Sequence, residues 1–388
     1  MMMTRPNNGR ANQNYEGNHM SPCSSAPQGN VSQDHVAAIF YSSGTTGLGK
    51  GVMITHRNLI AAIAYHYAFR VEKTEPTVVL YTVPYFHIFG FSYCLRSVAL
   101  KETAVVMERF QFRKMLRAVE EFRVTLMPVA PPVVVAMVKD SVVDEYDLRS
   151  LEWVGSGGAP LGIDVIRKFY EKYPSVLLAQ GYALTETTGV ASRAFTPEEI
   201  RRWGSVGKLL AMFEAKIVDP DSGAFLPPGR RGELWLRSPS VMKGYVGNAK
   251  ATLEALGTDG WLRTGDICYF DDEGYLFVVD RLKELIKYKG YQVAPAELDE
   301  LLLSHPQILD AAVIPYPDEE AGEVPMALVV RHSQSSLDEN EVMDFVAKQV
   351  APYKKIRRVR FVTSILKSPA GKILRKELGK IAILESKI

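Results

Sequence analysis

The sequence predicts an α/β protein with a large domain of mainly parallel sheets flanked by helices, a small antiparallel region, and a smaller α+β domain at the C-terminus. From Val36 to about Gly181, apolar strand-like runs alternate with helical stretches, which is typical of a parallel sheet with helices on its faces. Past Trp203, short strands are separated by Asp-Gly and Pro-Gly turns, which favour antiparallel hairpins. From Leu282 onward, a second set of strands and helices follows.

The elements of the large domain follow one another in a regular order. The first apolar run enters a glycine-rich loop, and a stretch with helical apolar spacing comes after the loop. Two buried strands follow, and an amphipathic helix separates the second of them from another buried strand. In order, these segments are VAAIFYSS (36–43), HRNLIAAIAYHYAF (56–69), TVVLYTVP (77–84), TAVVME (103–108), QFRKMLRAVEEF (111–122) and VTLMPV (124–129). Because ligands of such sheets gather at the carboxyl ends of strands, the loop after the first run is a candidate ligand site.

The second half of the chain divides into hairpins and a terminal domain. The hairpin strands are FEAKIVDPDSG (213–223), RRGELWLRS (230–238) and GYLFVVD (274–280). The terminal domain contains APAELDELLLSH (294–305), AAVIPYP (311–317) and ENEVMDFVAKQV (339–350). We therefore expect a disordered leader at 1–30, a large domain at 31–280 and a small domain at 281–388, with a hinge near 280–283. The leader is rich in Asn, Ser, Gly and Pro and lacks the apolar core of a signal peptide.

The composition excludes several classes of protein. The 388 residues are 47% hydrophobic and 23% charged, as in soluble globular proteins. A net charge of +2 gives no reason to expect nucleic acid or an anionic membrane as a partner. The most apolar run, which starts at Val124, is short and broken by prolines, so no membrane span is predicted. Cys23, Cys94 and Cys268 are too scattered for a disulfide framework or a thiolate zinc site, which favours a reducing compartment.

The loop YSSGTTGLGKGV (41–52) fits the phosphate-loop pattern G-x-x-x-x-G-K through its glycines and Lys50. A Walker loop needs Ser or Thr directly after the lysine to hold Mg²⁺, and Gly51 occupies that position here. The loop is rich in hydroxyl and backbone N–H donors, which can wrap a triphosphate without the Walker geometry. An ordinary glycine-rich turn after a strand is an equally good interpretation of the loop alone.

Four further segments resemble, together with YSSGTTG and in the same order, the adenylate-forming superfamily of acyl-CoA synthetases, luciferases and peptide-synthetase adenylation domains. They are QGYALTETTG (180–189), LRTGD (262–266), DRLKELIKYKGYQVAPAELD (280–299) and SPAGKILRK (368–376). The closest likeness is to plant 4-coumarate–CoA ligase-like acyl-CoA synthetases, and it covers nearly everything from about Val31 to the C-terminus. It implies ATP, Mg²⁺ and coenzyme A as cofactors, a small-molecule carboxylic acid as substrate, a mobile C-terminal domain and a monomer. The acid would become an acyl-adenylate and then a thioester.

The resemblance also implies roles for residues of the first step. Asp266 would accept hydrogen bonds from the ribose hydroxyls, with Arg281 beside it. Glu186 would help to hold Mg²⁺, and Lys372 would lie against the α-phosphate, as suits a point charge on a long stem. Residues that would contact the β- and γ-phosphates are Ser42, Ser43, Gly44, Thr45, Thr46 and Lys50, and those that would line the adenine and α-phosphate region are Gln180, Gly181, Tyr182 and Thr185. Each has a simpler interpretation on its own: Asp266 as a turn residue, Arg281 as a solvated charge, Glu186 as a helix cap and Lys372 as part of a basic tail.

Other residues match positions of the second step and of the acyl pocket. The hinge and coenzyme A positions are Lys283, Lys289, Gly290 and Arg109, and Lys287 with Gln292 match positions that serve the adenylate or its transfer. His87 matches a histidine that gates the acyl pocket, although a lone histidine amid aromatic residues is more often a satisfied core residue. The residues that would line this pocket are Phe89, Ser92, Tyr93, Gly157, Gly158 and Val190.

Several departures from the family pattern bear on substrate and activity. Gly155 replaces a lysine of true 4-coumarate ligases and the loop TETTGV is one residue longer, so a hydroxycinnamate, a fatty acid and a jasmonate precursor all stay open. Gly49 replaces a proline in the phosphate loop, and Ala183 replaces a glycine. Full-length relatives carry roughly one more domain of chain before the phosphate loop, so we expect an N-terminally truncated member.

Three alternative functions and a possible peroxisomal targeting signal remain to be considered. A truncated, inactive homologue that binds AMP or acyl-CoA, a phosphotransferase, and a luciferase-type monooxygenase are each compatible with part of the pattern. The terminal Ser386-Lys387-Ile388 resembles the peroxisomal signal S-K-L, and the alternative is a frayed polar tail of a cytoplasmic protein.

Overall fold

The computed structural model describes residues 30–42, 49–68, 70, 75–368 and 371–385. Its strands are β1 (Val36–Ser42), β2 (Lys50–Thr55), β3 (Val78–Tyr81), β4 (Thr103–Val106), β5 (Leu126–Val129), β6 (Trp153–Ser156), β7 (Leu177–Leu184), β8 (Gly189–Arg193), β9 (Lys208–Leu209), β10 (Glu214–Val218), β11 (Gly232–Arg237), β12 (Gly244–Tyr245), β13 (Leu262–Phe270), β14 (Leu276–Arg281), β15 (Ile286–Tyr288), β16 (Tyr291–Val293), β17 (Ile308–Asp318), β18 (Gly322–Arg331) and β19 (Arg358–Phe361). Its α-helices are α1 (His56–Ala68), α2 (Ile88–Leu100), α3 (Phe112–Phe122), α4 (Pro131–Lys139), α5 (Ile163–Lys172), α6 (Pro197–Ile200), α7 (Ala249–Leu256), α8 (Pro295–Ser304), α9 (Glu339–Ala347) and α10 (Arg375–Glu385), and short 3₁₀ helices span Ser141–Glu145, Thr185–Thr187 and Pro352–Lys354.

A seven-stranded sheet forms the centre of the large domain, in the order β4-β3-β5-β6-β7-β8-β9. The strands from β4 to β7 are parallel, and β8 and β9 pair antiparallel at one end. Helix α3 packs a stripe of Met115, Leu116 and Val119 into the core against this sheet, as its amphipathic spacing predicts. The alternation of strands and helices predicted from about residue 77 is therefore confirmed.

The first strand does not join the parallel sheet, and this part of the prediction is wrong. Strand β1 pairs antiparallel with β2, with Ser42 opposite Lys50, and β2 pairs with β12 in a separate three-stranded sheet. A short loop can close only an antiparallel pair, because parallel neighbours need a crossover of a dozen residues or more. The segment KGVMIT, whose first three residues end the loop motif 41–52, forms β2 and buries Val52 and Ile54.

The predicted antiparallel hairpins form a four-stranded sheet in the order β10-β11-β13-β14. Its register places Asp266 of β13 directly opposite Arg281 of β14. Two residues that are fifteen positions apart in sequence therefore share one edge of the candidate site.

The C-terminal region has its own sheet, in the order β16-β15-β18-β17 with β19 parallel to β18. Helices α8 and α9 cover it, and a core that includes Ile286, Leu298 and Val329 lies between them. An α+β domain is what the sequence predicts here, so the overall fold class is confirmed. The boundaries at residues 30 and 280 stay predictions, and residues 1–29 lie outside the described part of the chain. No helix among the described residues has both the length and the apolarity that a membrane crossing requires.

The two parts of the chain are in contact. Glu300 of α8 accepts a hydrogen bond from the backbone N–H of Ile163, the first residue of α5, at 2.8 Å. Gly371 lies against the start of α4, and a Cβ at that glycine would lie 3.3 Å from the Cβ of Ala130. These contacts hold the segment that carries Lys372 against the large domain.

Candidate active site

One cavity of about 610 Å³ lies where the two parts of the chain meet. Its walls come from the β1–β2 hairpin, the residues that follow β6 and β7, the β13–β14 edge and the C-terminal segment. Because β6 and β7 are parallel, their carboxyl ends open onto the same side of the sheet. Predicted site residues on its wall are Ser42, Lys50, His87, Phe89, Tyr93, Gly157, Gly158, Gln180, Gly181, Thr185, Glu186, Val190, Asp266, Arg281, Lys283 and Lys372.

Asp266 is the buried carboxylate of this cavity. Its Oδ2 accepts a hydrogen bond from the hydroxyl of Tyr182 at 2.5 Å, and its Oδ1 lies 3.5 Å from Nε of Arg281. Burial raises the pKa of Asp266, and the positive charge of Arg281 opposes that rise. Burial and the neighbouring Asp266 raise the pKa of Tyr182 far above its ordinary value, so the phenol stays a donor. Tyr182 thus supports Asp266 and does not itself line the cavity, and its role in the adenine region stays a prediction.

Lys372 reaches the cavity from a tight turn of the C-terminal segment. Its backbone N–H donates to Oγ of Ser368 at 3.2 Å, and its carbonyl accepts from the N–H of Ser368 at 2.8 Å. Gly371 has φ of +82°, which a residue with a Cβ rarely adopts. The Nζ of Lys372 lies 3.9 Å from Oε1 of Glu284. Burial first, and then the charge of Arg281, lowers the pKa of Lys372.

Glu186, Tyr245 and Lys50 form a second polar group. The hydroxyl of Tyr245 donates to Oε1 of Glu186 at 2.9 Å, and Nζ of Lys50 lies 4.8 Å from the centre of the Tyr245 ring. Burial and then Glu186 raise the pKa of Tyr245, so it also stays a donor. In the described ranges, no three His, Cys, Asp or Glu residues cluster closely enough to hold a metal ion. If Glu186 holds a Mg²⁺ ion, the other ligands of that ion would be phosphate and water oxygens.

One end of the cavity is lined by aromatic residues and glycines. A Cβ at Gly157 would lie 3.3 Å from the ring of Phe89, and a Cβ at Gly155 would lie 2.8 Å from the hydroxyl of Tyr93. A side chain at residue 155 would therefore displace Tyr93, so glycine enlarges this end of the cavity. Ser92 is on the other side of its helix: its Oγ donates to the carbonyl of Phe89 at 2.8 Å, and it does not line the main cavity.

His87 both caps a helix and lines the cavity. Its Nδ1 accepts a hydrogen bond from the backbone N–H of Phe89 at the start of α2, at 3.2 Å. Burial lowers the pKa of His87, which keeps the imidazole neutral and able to accept this bond. The capping contact accounts for its place in the fold, and the gating role stays a prediction.

Comparison with known protein families identifies the family to which this chain belongs. The family described as AMP-binding enzyme matches residues 4–246, and the AMP-binding enzyme C-terminal domain matches residues 297–372. The chain belongs to the AMP-binding enzyme family. The resemblance to adenylate-forming enzymes that the sequence motifs predict is thereby confirmed.

Relatives of this AMP-binding enzyme family member include two proteins of Arabidopsis thaliana. The 4-coumarate–CoA ligase-like 9 protein is 55% identical over 355 residues, which are 91% of this chain and 63% of that protein. Peroxisomal OPC-8:0-CoA ligase 1 is 53% identical over 371 residues, 93% of this chain and 68% of that protein. The chain thus spans about two thirds of the length of these relatives. Among solved structures, o-succinylbenzoate CoA synthetase of Bacillus subtilis in complex with the acyl-adenylate OSB-AMP has a TM-score of 0.80 and 30% identity, covering 90% of this chain and 70% of that one.

Not every predicted site residue reaches the cavity. Those that lie apart from it are Tyr182 and Ser92, described above, and Arg109, Lys287, Lys289, Gly290 and Gln292. Lys287 and Gln292 face each other across the β15–β16 hairpin, and Lys289 with Gly290 forms its turn, with φ of +46° and +82°. Ser43, Gly44, Thr45 and Thr46 lie outside the described residues. Arg109, Lys287, Lys289, Gly290 and Gln292 carry roles of the second step or of its domain movement, and those roles stay predictions.

Several cavity residues were not singled out from the sequence. They are Tyr245, Trp153, Ser156, Arg193 and Glu233. Ser156 is notable because its Oγ is buried and has no hydrogen-bond partner within the described residues. Ser156 directly precedes the glycines of VGSGGAPLG, and this position was the only sequence signal for it. Tyr245 and Arg193 belong to no motif, and only the fold brings them to the site.

Proposed function

We propose that this protein is an acid–thiol ligase that activates a carboxylic acid with ATP and transfers the acyl group to coenzyme A. The observation that carries the proposal is the position of Lys372. Its amine comes from the C-terminal segment into the cavity that Asp266, Arg281, Glu186 and Lys50 line. A cavity with one buried carboxylate and several cations from two parts of the chain suits a nucleotide whose phosphate is attacked. Relatives named as CoA ligases support the same activity.

In the first step, an oxygen of the acid attacks the α-phosphorus of ATP. The bond from that phosphorus to its bridging oxygen breaks, and pyrophosphate leaves with the electron pair. Lys372 stabilises the negative charge that develops on the α-phosphate oxygens, and Lys50 faces the departing phosphates. Asp266 orients the ribose, and the positive charge of Arg281 favours the ionised form of that carboxylate. Mg²⁺ bound near Glu186 would neutralise phosphate oxygens, and a solved structure of the Bacillus subtilis synthetase contains ATP and a magnesium ion.

In the second step, the sulfur of coenzyme A attacks the acyl carbon, AMP leaves and the thiol proton is released. The residues proposed to serve this step are Lys283, Lys287, Lys289, Gly290, Gln292 and Arg109. Apart from Lys283 they lie away from the cavity in the present arrangement. Rotation of the C-terminal domain would bring Lys287, Lys289, Gly290 and Gln292 to the adenylate after Lys372 has left.

Replacing Lys372 with methionine tests the proposal. We expect carboxylate-dependent ATP–pyrophosphate exchange to fall by about 100-fold or more, as when one transition-state charge donor is removed. Thioester formation from supplied acyl-adenylate should fall far less. Lys376→Met is the matched control, because this exposed lysine lies in the same basic stretch and does not line the cavity.

The products separate this function from its rivals. A ligase releases AMP and pyrophosphate, whereas a phosphotransferase releases ADP. An inactive homologue would bind AMP or acyl-CoA with no exchange for any acid of a broad panel, and that result would overturn the proposal. Equal losses of both half-reactions in Lys372→Met would contradict the role of this lysine.

Peroxisomal localisation is proposed on two grounds. A relative carries the word peroxisomal in its name, and the chain ends in Ser386-Lys387-Ile388, which lies outside the described residues. Microscopy of an N-terminal fluorescent fusion with and without these three residues tests it, and a diffuse signal from both fusions would refute it.

A further inference from the structure

Arg193 is an arginine on the wall of the cavity. Its Nη1 donates to the hydroxyl of Tyr65 at 2.9 Å, and its Nε makes a long bond of 3.5 Å to the carbonyl of Ala194. Within the described residues, no Asp or Glu oxygen lies within ion-pair distance of it. Its guanidinium lies between two rings, 5.2 Å from the centre of Trp153 and 5.1 Å from that of Phe195.

The charges around Arg193 do not neutralise it. The neighbouring Arg96 forms an ion pair of 2.6 Å with Glu102, so this carboxylate is already engaged. His66 is also near, and burial together with the charges of Arg96 and Arg193 lowers its pKa well below the ordinary value. An arginine stays charged in proteins, and aromatic faces offset only part of the free energy of an unpaired, desolvated cation. An anion or a strong hydrogen-bond acceptor bound in the cavity would therefore compensate the charge of Arg193.

Two further hydrogen-bond donors, the hydroxyl of Tyr93 and the indole N–H of Trp153, belong to residues that line the same cavity as Arg193. The position that a Cβ would occupy at Gly155 lies 2.8 Å from the hydroxyl of Tyr93 and 3.9 Å from Nε1 of Trp153. Neither of these groups, nor Nη2 of Arg193, has a hydrogen-bond partner in the part of the chain that the structure describes. All three residues and Gly155 line the cavity. The absent side chain at Gly155 leaves open space directly in front of the donors.

A plain alkyl chain fits this end of the cavity poorly. It would displace water from the guanidinium, the phenol and the indole N–H and would offer them no acceptor in return. Acceptor oxygens on the acid would give these donors hydrogen-bond partners, and a carboxylate would in addition neutralise the cation. Arg193 and Lys372 contact different sets of residues, so they would serve different ends of a bound acid.

We propose that the acid activated by this protein carries an acceptor oxygen, in a second carboxylate or a ketone, at the end remote from the reacting carboxylate, and that Arg193, Tyr93 and Trp153 bind it. The inference rests on the proposed ligase function and names its substrate class. Arg193 is then a specificity residue that contacts the substrate but takes no part in the bond changes at the α-phosphorus.

The test compares acids matched in chain length. Hexanoic, octanoic, decanoic and dodecanoic acids are set beside their α,ω-dicarboxylic and (ω−1)-oxo counterparts. The quantity measured is kcat/KM in pyrophosphate exchange, taken as the ratio of each substituted acid to the plain acid, because a ratio is independent of the active fraction. Binding of the same acids without ATP is measured by calorimetry. The two substituted series distinguish the carboxylate from the ketone.

In the unaltered protein, we expect one substituted series to exceed the plain series by about 10-fold or more at its best length. Arg193→Met should remove that preference, and Tyr93→Phe, which deletes only a hydroxyl, should reduce it several-fold even if Arg193→Met does not fold. Arg202→Met is the control. Arg202 also lies over an aromatic ring, 5.3 Å from the centre of Tyr275, but it is exposed and lies outside the cavity, so the preference should persist.

The outcomes separate the inference from the proposed function. Efficient exchange with plain acids and no preference at any length would leave the ligase function standing and overturn the inference. A preference that survives both Arg193→Met and Tyr93→Phe would also overturn it. If no acid supports exchange, the proposed function fails. Binding of a diacid or oxo acid that is lost in Arg193→Met would then still support the site, and no binding would overturn it.

Discussion

Replacing Arg375 with methionine is expected to destabilise the C-terminal region strongly. This guanidinium is only 9% exposed and donates to three partners. Its Nη2 contacts Oδ2 of Asp299 at 2.5 Å, its Nε contacts Oε2 of Glu284 at 3.1 Å, and its Nη1 contacts the carbonyl of Val313 at 2.8 Å. The arginine therefore ties helix α10 to helix α8, to strand β17 and to the segment after β14.

The magnitude follows from what the substitution leaves behind. Asp299 stays buried without a cation, and breaking a buried ion pair from one side costs about 3–5 kcal/mol. Burial raises the pKa of Asp299 even in the presence of Arg375, so loss of the arginine raises that pKa further. The carboxyl can then take up a proton, which limits the loss to the lower end of this range, about 3 kcal/mol.

The sign of the pH dependence is fixed by the same shift. A carboxyl whose folded-state pKa is raised favours folding at low pH, and this contribution is lost as the pH rises through the folded-state pKa. The deficit of Arg375→Met relative to the unaltered protein should therefore grow as the pH rises through the folded-state pKa of Asp299. A deficit that does not change with pH would contradict the assignment of the effect to Asp299.

Hydrogen exchange is the suitable assay. The four tryptophans, at positions 153, 203, 235 and 261, all precede the C-terminal region, so their fluorescence does not follow its unfolding. Amides of β17 and β18 should exchange about 100-fold faster in the variant, since each 1.4 kcal/mol corresponds to a factor of ten.

A second substitution and a control make the test decisive. Arg375→Met combined with Asp299→Asn should regain most of the protection, because the uncompensated charge is gone and an amide oxygen can still accept from the N–H of Val313, now 2.6 Å from Oδ1 of Asp299. Lys380 lies on the exposed side of α10, and its ion-pair partner among the described residues is Glu377. The substitution Lys380→Met should change nothing measurable. Exchange in Arg375→Met within threefold of the unaltered protein would refute the reasoning.

Two further predictions concern the contact between the domains and the hinge. Glu300→Gln keeps an acceptor for the N–H of Ile163 but removes the charge at the start of α5, worth about 0.3–1 kcal/mol. Adenylate formation should fall by up to about fivefold while thioester formation from supplied adenylate holds, and equal loss of both rates would argue against a contact specific to the closed arrangement. Burial raises the pKa of Asp280 from 3.8 to about 6. Its contribution to stability is therefore fully present below pH 3.8 and is lost as the pH rises through 6, a total change of about 3 kcal/mol. Asp280→Asn should flatten this dependence in hydrogen exchange of α8, and an unaltered slope would contradict it.

The parallel sheet could be predicted because its strands are continuous buried runs. The strand Leu126–Val129 is buried along its whole length, because both faces of the sheet are covered there. The hairpins could be predicted because their turns contain glycine, proline and aspartate, which favour tight turns. The pairing of β1 with β2 could not, because an apolar run shows that a strand is buried but not which strand lies beside it.

The same limit applies to the site. Residues within long motifs, such as Asp266, Glu186 and Lys372, were assigned in advance and line one cavity. Arg193 reaches that cavity because it lies opposite Gly181 in the β7–β8 register. Tyr245 reaches it because β12 pairs with β2. The local sequence does not show which strands pair in either case, so motifs alone do not identify Arg193 or Tyr245 as site residues.

Glu284 connects the stability of the C-terminal region with the chemistry proposed for it. Its carboxylate accepts from Arg375 through one oxygen and lies near the amine of Lys372 through the other, at 3.1 and 3.9 Å. The buried cluster that ties α10 to α8 therefore ends one contact away from the lysine in the cavity. Because Glu284 also follows the predicted hinge by one residue, a movement of the hinge would shift the carboxylate and the lysine together. Lys372 would then enter and leave the nucleotide site with its counter-ion, and its charge would be compensated in both arrangements.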